Sequence, residues 1–154
     1  MLSRFERFTS MVSAIYRTIQ KLERDEMEQY GLRGSYAQYL LALRRNPSGL
    51  TAPELRQICS VDKAAVSRAA ADMEADGLIC RQAQGSSLYR ARLRLTEEGR
   101  KAADFVFHRA ADAVELAGAG LAEEDRQAFY AALELICGNL NRISKEGLPP
   151  QDSV

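Results

Sequence analysis

Apolar residues recur at steps of three and four near the start of the chain: Leu2, Phe5, Phe8, Val12, Ile15, Tyr16, Ile19 and Leu22. That spacing predicts one stripe on a long amphipathic helix over about Ser3 to Gln29, with Gly31 as its stop. A second helix carries Tyr36, Tyr39, Leu40 and Leu43, has Ser35 available as a cap, and ends before the turn cluster Asn46-Pro47-Ser48-Gly49. Thr51, Pro53 and Glu54 then make a T-x-x-E start, which predicts a capping box on a short helix from Ala52 to about Cys59. Asp62 caps the next helix, which runs to Asp76 and stops at Gly77. Val66, Ala70 and Met73 form its inward stripe, and Lys63, Ala64, Ser67 and Arg68 fall on or near the other face.

After Gly77 the period drops to two. Leu78-Ile79-Cys80 and Leu88 to Leu95 read as strands around Gln84-Gly85-Ser86-Ser87. The second strand sets Arg90, Arg92 and Arg94 on one face and Ala91, Leu93 and Leu95 on the other. Thr96, with Glu98 or Gly99, opens a helix carrying Phe105, Arg109, Ala113 and Leu116, which Gly118 and Gly120 break. The last helix, about Ala122 to Ser144, places Phe129, Leu133, Ile136, Leu140 and Ile143 at alternating steps of four and three, a coiled-coil-like seam. The tail EGLPPQDSV reads as disordered. The expected fold is mainly α with a small β-hairpin. A lobe over residues 35–96 is flanked by helical regions 1–34 and 97–146, with a tail at 147–154.

A helix pair followed by an arginine-bearing ribbon is one way to offer a helix to a DNA groove. The major groove admits an α-helix whose outer face is small or polar, and base edges there present a distinct donor and acceptor pattern. Asp62-Lys63-Ala64-Ala65-Val66-Ser67-Arg68 supplies such a face. Arg68 can pair bidentately with guanine or clamp a phosphate, Lys63 and Ser67 can donate to phosphate oxygens, and the helix dipole favours anions at that end. The ribbon arginines can reach an adjacent minor groove or flanking phosphates. The candidate contact set is therefore Thr51, Asp62, Lys63, Ala64, Ala65, Ser67 and Arg68, with Arg81, Arg90 and Arg92 from the ribbon. The plainer reading of the ribbon is a solvated arginine face that guards an edge strand against aggregation.

Charge supports the first reading only when resolved along the chain. Its 154 residues carry 21 basic and 21 acidic side chains, a net of zero. Residues 1–61 hold nine basic against six acidic, residues 62–101 eight against six, and residues 102–154 four against nine. Between residues 80 and 96 the only charges are Arg81, Arg90, Arg92 and Arg94. Local field, not total charge, guides a protein to phosphate. No apolar run approaches the ~20 residues of a membrane span, and the charged start MLSRFERFTS is unlike a secretory signal. A cytoplasmic protein is expected. Cys59, Cys80 and Cys137 are odd in number and form no C-x-x-C pair, which argues against a zinc site or a disulfide framework. Cys80, beside Arg81, has a route to an activated thiolate, but the expectation is a buried, inert cysteine. His108 is the single histidine and reads as an ordinary helical position. No carboxylate pair, phosphate loop, metal cluster or nucleophile–base motif appears, so neither an enzyme nor a cofactor is expected.

The order of a long first helix, then GLTAPELRQI, VDKAAVSRAAADMEADGLI and RLRLTEEGRKAA, resembles the MarR family of transcriptional regulators over about residues 3–145. The resemblance implies a winged helix-turn-helix, entwined as a homodimer through the first and last helices. It implies a recognition helix at Asp62–Ala75 and a wing at Gln82–Arg92. Wings of the family usually carry Asp-x-Arg about eight residues before LT. Ser87 and Tyr89 stand there in this chain, with Arg90 one step out of register. Either the wing is shifted by one residue or Arg90 does the arginine's work without an aspartate clamp.

A homodimer also follows from the residues: one helix and one wing contact few base pairs, whereas a twofold pair reads a pseudo-palindrome in double-stranded DNA. The first and last helices carry more apolar surface than a small winged domain can cover. Family members often respond to small aromatic ligands held between the dimer helices and the DNA-binding lobe. Here Phe8, Val12, Tyr16, Tyr36, Tyr39 and Leu40 are the residues to line such a pocket, and a plain core stripe is the competing reading of the same residues. A bound effector would favour a half-site spacing that no longer matches the operator. The expectation is a ligand-responsive repressor. The alternative is a winged-helix module that binds protein and reads no DNA sequence.

Overall fold

The computed structural model describes residues 3–83 and 91–148. The ribbon tip, with Arg90, Ser87 and Tyr89, and the tail beyond residue 148 lie outside the described residues, as do Met1 and Leu2. The elements in chain order are α1 (Arg4–Gln29), a 3-10 turn (Gly34–Tyr36), α2 (Ala37–Arg45), α3 (Ala52–Cys59), α4 (Lys63–Ala75), β1 (Ile79–Gln82), β2 (Arg92–Leu95), α5 (Glu97–Ala117) and α6 (Glu123–Glu146). They fall into two compact units, Met1–Ala113 and Val114–Val154.

The helices begin where local chemistry says they should. Ser3 Oγ accepts from the Glu6 amide while Glu6 accepts from the Ser3 amide, a reciprocal box that starts α1. Thr51 and Glu54 make the same box at α3, with Pro53 in its first turn. Asp62 Oδ1 accepts from the Ala65 amide at 2.7 Å and starts α4. Three helices end alike. The amides of Gly31 and Leu32 return to Glu28 and Met27, those of Ser60 and Val61 to Gln57 and Arg56, and those of Gly77 and Leu78 to Glu74 and Met73. Ser60 holds φ +53°, the left-handed geometry that favours glycine, so the α3–α4 turn is tight at the expense of some backbone strain.

The second helix does not start from a Ser35 cap. A 3-10 turn precedes α2, and the residue before α2, Tyr36, makes no side-chain cap bond. Close approach decides this. A Cβ at Gly34 would stand 3.1 Å from the Arg24 carbonyl and 2.7 Å from Glu28 Oε1, so the turn lies flat on α1 in a way local capping does not foretell.

The core of the first unit joins Met27, Tyr36, Leu40, Leu43, Leu55, Val66, Met73, Ile79, Leu93 and Val106, all 2 % exposed or less. From α4 it takes Val66, Ala70 and Met73, the expected stripe. From α5 it takes Gly99, Ala102, Ala103 and Val106, a narrow stripe of small residues that lets the helix approach closely. β1 and β2 pair antiparallel with Ile79 opposite Leu95 and Arg81 opposite Leu93. Leu50 adds a one-residue bridge on the far side of β2, exchanging bonds of 3.0 and 2.8 Å with Leu93. Cys80 is exposed rather than buried, because only Ile79 of β1 points into the core.

Thr96 ties the end of α4 to the start of α5. Its hydroxyl donates to the Gly77 carbonyl at 2.6 Å and accepts from the Gly99 amide at 3.1 Å, while its own amide donates to the Leu78 carbonyl. A Cβ at Gly99 would fall 1.9 Å from that Leu78 oxygen. Gly99→Ala should therefore destabilise the chain by about 3 kcal/mol or more, since backbone and not a flexible side chain must move. Urea denaturation would show it as a lower midpoint; an unchanged midpoint would contradict the packing described.

Candidate nucleic-acid interface

α4 is bare along one half and gripped along the other. Asp62, Lys63, Ala64, Ser67 and Arg68 are exposed, Ala65 is half-buried, and Ala71 and Ala75 extend the same open side with methyl groups only. Arg68 makes no side-chain hydrogen bond or ion pair among the described residues, so its guanidinium is available. A groove of about 210 Å³ runs between α3, α4 and the ribbon, edged by Arg56, Lys63, Ser67 and Arg81 and floored by Val66 and Leu93. Arg56 was not foreseen from sequence. Its signal was available: it sits five residues after Thr51 on a helix whose buried position is Leu55.

The acids in the last turn of α4 and at its C-cap are engaged. Glu74 accepts from Arg81 Nε at 2.8 Å, Asp72 from Arg33 Nη1 at 2.6 Å, and Asp76 from the Tyr36 hydroxyl at 2.7 Å. Burial, and then the Asp76 carboxylate, push the Tyr36 phenol up to about 12, so it stays a neutral donor at physiological pH.

The ribbon arginines that are described turn back on the protein. Arg92 Nη1 donates to the Gly49 carbonyl at 2.7 Å and lies 3.7 Å from Glu54, and Arg94 Nε donates to the Ser48 carbonyl at 3.1 Å. They fasten β2 to the turn that precedes α3. Gly49 is needed there, at φ +87°, since a Cβ would meet the Leu93 carbonyl at 2.8 Å. The Thr51 hydroxyl, also in the expected contact set, serves the capping box, and hydrogen bonding to Thr51 holds the Glu54 carboxyl below the usual carboxylate range. Thus Arg81, Arg92 and Thr51 are held within the lobe, and Lys63, Ala64, Ser67 and Arg68 are exposed along α4.

The expected effector residues do not come together. Phe8, Val12 and Tyr16 are exposed on α1, while Tyr36, Tyr39 and Leu40 belong to the core. Among the described residues no group of three His, Cys, Asp or Glu side chains is placed to hold a metal, and no helix is long and apolar enough to cross a membrane.

A helix pair with a tight turn, an open second helix and an antiparallel ribbon packed beside it is a winged helix-turn-helix. The model of the MarR family matches residues 30–86, the segment that builds the helix pair and the first ribbon strand. A MarR-family transcriptional regulator from Silicibacter pomeroyi is 26% identical, with 84% of this chain and 86% of that one covered and a TM-score of 0.70. A MarR transcriptional regulator from Methanosarcina mazei is 25% identical over 92% of this chain and 94% of that one, with a TM-score of 0.77. A MarR-family protein from Listeria monocytogenes, solved in complex with 26mer DNA, is 20% identical over 98% and 99%, with a TM-score of 0.74. No curated protein matches the chain. The chain thus has a winged helix-turn-helix fold, and it is similar to MarR-family regulators over the matched segment and in overall architecture.

The three thiols should differ in reactivity. Cys59 is half-buried beside the Gln38 carbonyl, and burial raises its thiol from the ordinary range to about 11. A raised thiol stays protonated, so Cys59 resists alkylation until the pH nears that value, whereas Cys80 and Cys137 are exposed. Maleimide labelling of the native protein at pH 7.5 (~neutral, where thiolate is scarce) should modify Cys80 ahead of Cys59. Labelling of Cys59 at an equal rate would show that its site is open.

Proposed function

We propose that the chain is a sequence-specific, double-stranded-DNA-binding transcriptional regulator, acting as a homodimer on a pseudo-palindromic operator as a ligand-responsive repressor in the cytoplasm. The observation that carries this reading is the open N-terminal half of α4, where Lys63, Ser67 and Arg68 stand around small residues at a capped helix start. Arg68 is the base-reading candidate, and Lys63 and Ser67 are the phosphate donors. Arg56 joins them as a phosphate contact from α3. The relative solved with DNA supports the partner.

Unpartnered apolar surface supports the homodimer. Phe5, Met11, Val12, Ile15 and Tyr16 are 43 % exposed or more on α1. α6 buries no residue in the chain, although Phe129, Tyr130, Leu135 and Leu140 lie along it. The ligand response and repression rest on family likeness alone.

A protein-interaction module is the second reading. It draws on one observation: the described ribbon arginines are all engaged within the lobe. Selection from random duplexes, followed by a salt titration, separates the two. A DNA reader enriches a symmetric motif and loses affinity steeply as salt rises; the module enriches nothing. Arg68→Ala should cost about 1–3 kcal/mol of specific binding and relax preference at one base. Full operator affinity in that variant would remove Arg68 from the interface. Ile15→Asp should shift the protein from dimer to monomer in light scattering, by setting an unpaired charge in the apolar patch. A dimer of undiminished stability would place the interface elsewhere.

A further inference from the structure

Around α4, at ~100° per residue, the side chains sort into four sectors. Val66, Ala70 and Met73 point into the core. Ser67, Ala71, Ala64, Ala75 and Arg68 span the opposite, open side. The acids stand at the two borders between them. Glu74 lies on the ribbon side, next to Ser67 in projection. Asp72 and Asp76, one turn apart, lie on the other side, beyond Arg68. Each border is tied to a different part of the lobe: Glu74 to Arg81 of β1, Asp72 to Arg33, and Asp76 to Tyr36 of the 3-10 turn.

A helix held by a stripe of one valine, one methionine and the small alanines Ala69 and Ala70 has little to stop it rolling about its own axis. Small apolar side chains pack in more than one rotation at similar cost, whereas a hydrogen bond to a charged oxygen has a direction. Acids in the last turns also work against the helix dipole, so they do not serve the helix by itself. Their use lies in what they bind.

We propose that the Tyr36–Asp76 hydrogen bond, with Arg33–Asp72 beside it, sets the roll of α4, so that Tyr36 and Asp76 are positioning residues for sequence reading and touch no DNA. The inference rests on the DNA-reading function proposed above. Tyr36 carries the greater part. It is 2 % exposed and its ring is fixed in the core, so its hydroxyl is a rigid donor. The Arg33–Asp72 pair is exposed on both sides, 64% and 47%, and contributes less. Arg81–Glu74 opposes them from the other border, which gives Arg81 an orienting task in place of a base contact. A wrong roll moves Arg68 and Ser67 off the base edges yet leaves every cation on the surface. Discrimination between sequences should therefore fall while general attraction to duplex persists.

The test compares affinities for the duplex enriched by the wild type and for a scrambled duplex, at one salt concentration. Tyr36→Phe keeps the ring in the core and removes the hydroxyl. It should lower the ratio of the two affinities about tenfold, the scale of one hydrogen bond to a charged group, with the scrambled-duplex affinity and the salt slope unchanged. Asp76→Asn retains an acceptor and should hold the wild-type ratio. Asp76→Ala, a change at an exposed residue, should match Tyr36→Phe, and the double variant should be no worse than either. Equal loss on both duplexes, in step with a lowered melting temperature, would overturn the proposal by showing a purely structural bond. An unaltered ratio in Tyr36→Phe and Asp76→Ala would overturn it as well. A wild type that enriches no duplex would overturn the DNA reading itself, and this inference with it.

Discussion

The burial of one narrow stripe of α4 is the constraint on which the rest of the lobe depends. Val66, Ala70 and Met73 are the residues of the helix buried in the core, with Ala69 packed half-buried beside them. A wider stripe would gain more from burial, at about 25 cal/mol per Å², but would draw in the face that must stay open. Alanine resolves the conflict on both sides: Ala70 allows close packing within, and Ala64, Ala71 and Ala75 add no bulk without. The anchoring that a thin apolar stripe lacks is supplied by directed polar contacts at its borders and by covalent neighbours. The Asp62 cap and the strained Ser60 turn fix where α4 begins, and the Gly77 exit and Thr96 fix where it ends.

The same economy explains the ribbon. β2 pairs with β1 on one edge and with Leu50 on the other. Arg92 and Arg94 carry this attachment further by donating to the carbonyls of Gly49 and Ser48, groups left without helix or ladder partners at the end of the Asn46–Gly49 turn. No buried side-chain polar atom lacks a partner among the described residues. The alternation of arginines along the strand was read as charge offered outward. It is in large part the chemistry of a strand that must satisfy a neighbouring turn.

The sequence made local features legible and left the tertiary ones hidden. Thr51, Asp62 and Gly77 were found because caps depend on residues three or four apart, and the structure places each in the expected role. Ser35 failed as a cap because Gly34 packs against Arg24 and Glu28 of another helix, which no local window contains. Cys80 was expected inside, yet the strand leaves the core after Ile79. Tyr36 and Tyr39 were open to two readings, pocket lining or plain core; both are buried in the core, and a sequence stripe cannot tell a pocket wall from a core. The partners of Arg33, Arg81 and Arg92 lie between 7 and 43 positions away, so which of these arginines are engaged emerges only in three dimensions.

α6 shows how far the single chain falls short of a finished structure. An isolated helix gains little stability from propensity and depends on a packed face. α6 has three acids in its first turn that suit the dipole, and Gly147 closes it, but none of its residues is buried in the chain. Its apolar seam and the outer half of α1 are surfaces whose burial energy is still unrealised. If a second copy covers them, as proposed, association and folding draw on the same surface, and apparent stability rises with protein concentration by mass action. On that proposal the spacing between two reading helices depends on how α1 and α6 pair. A change in how those helices pack would reach the operator as a change in separation, while the roll of each α4, fixed inside its own lobe, stays constant.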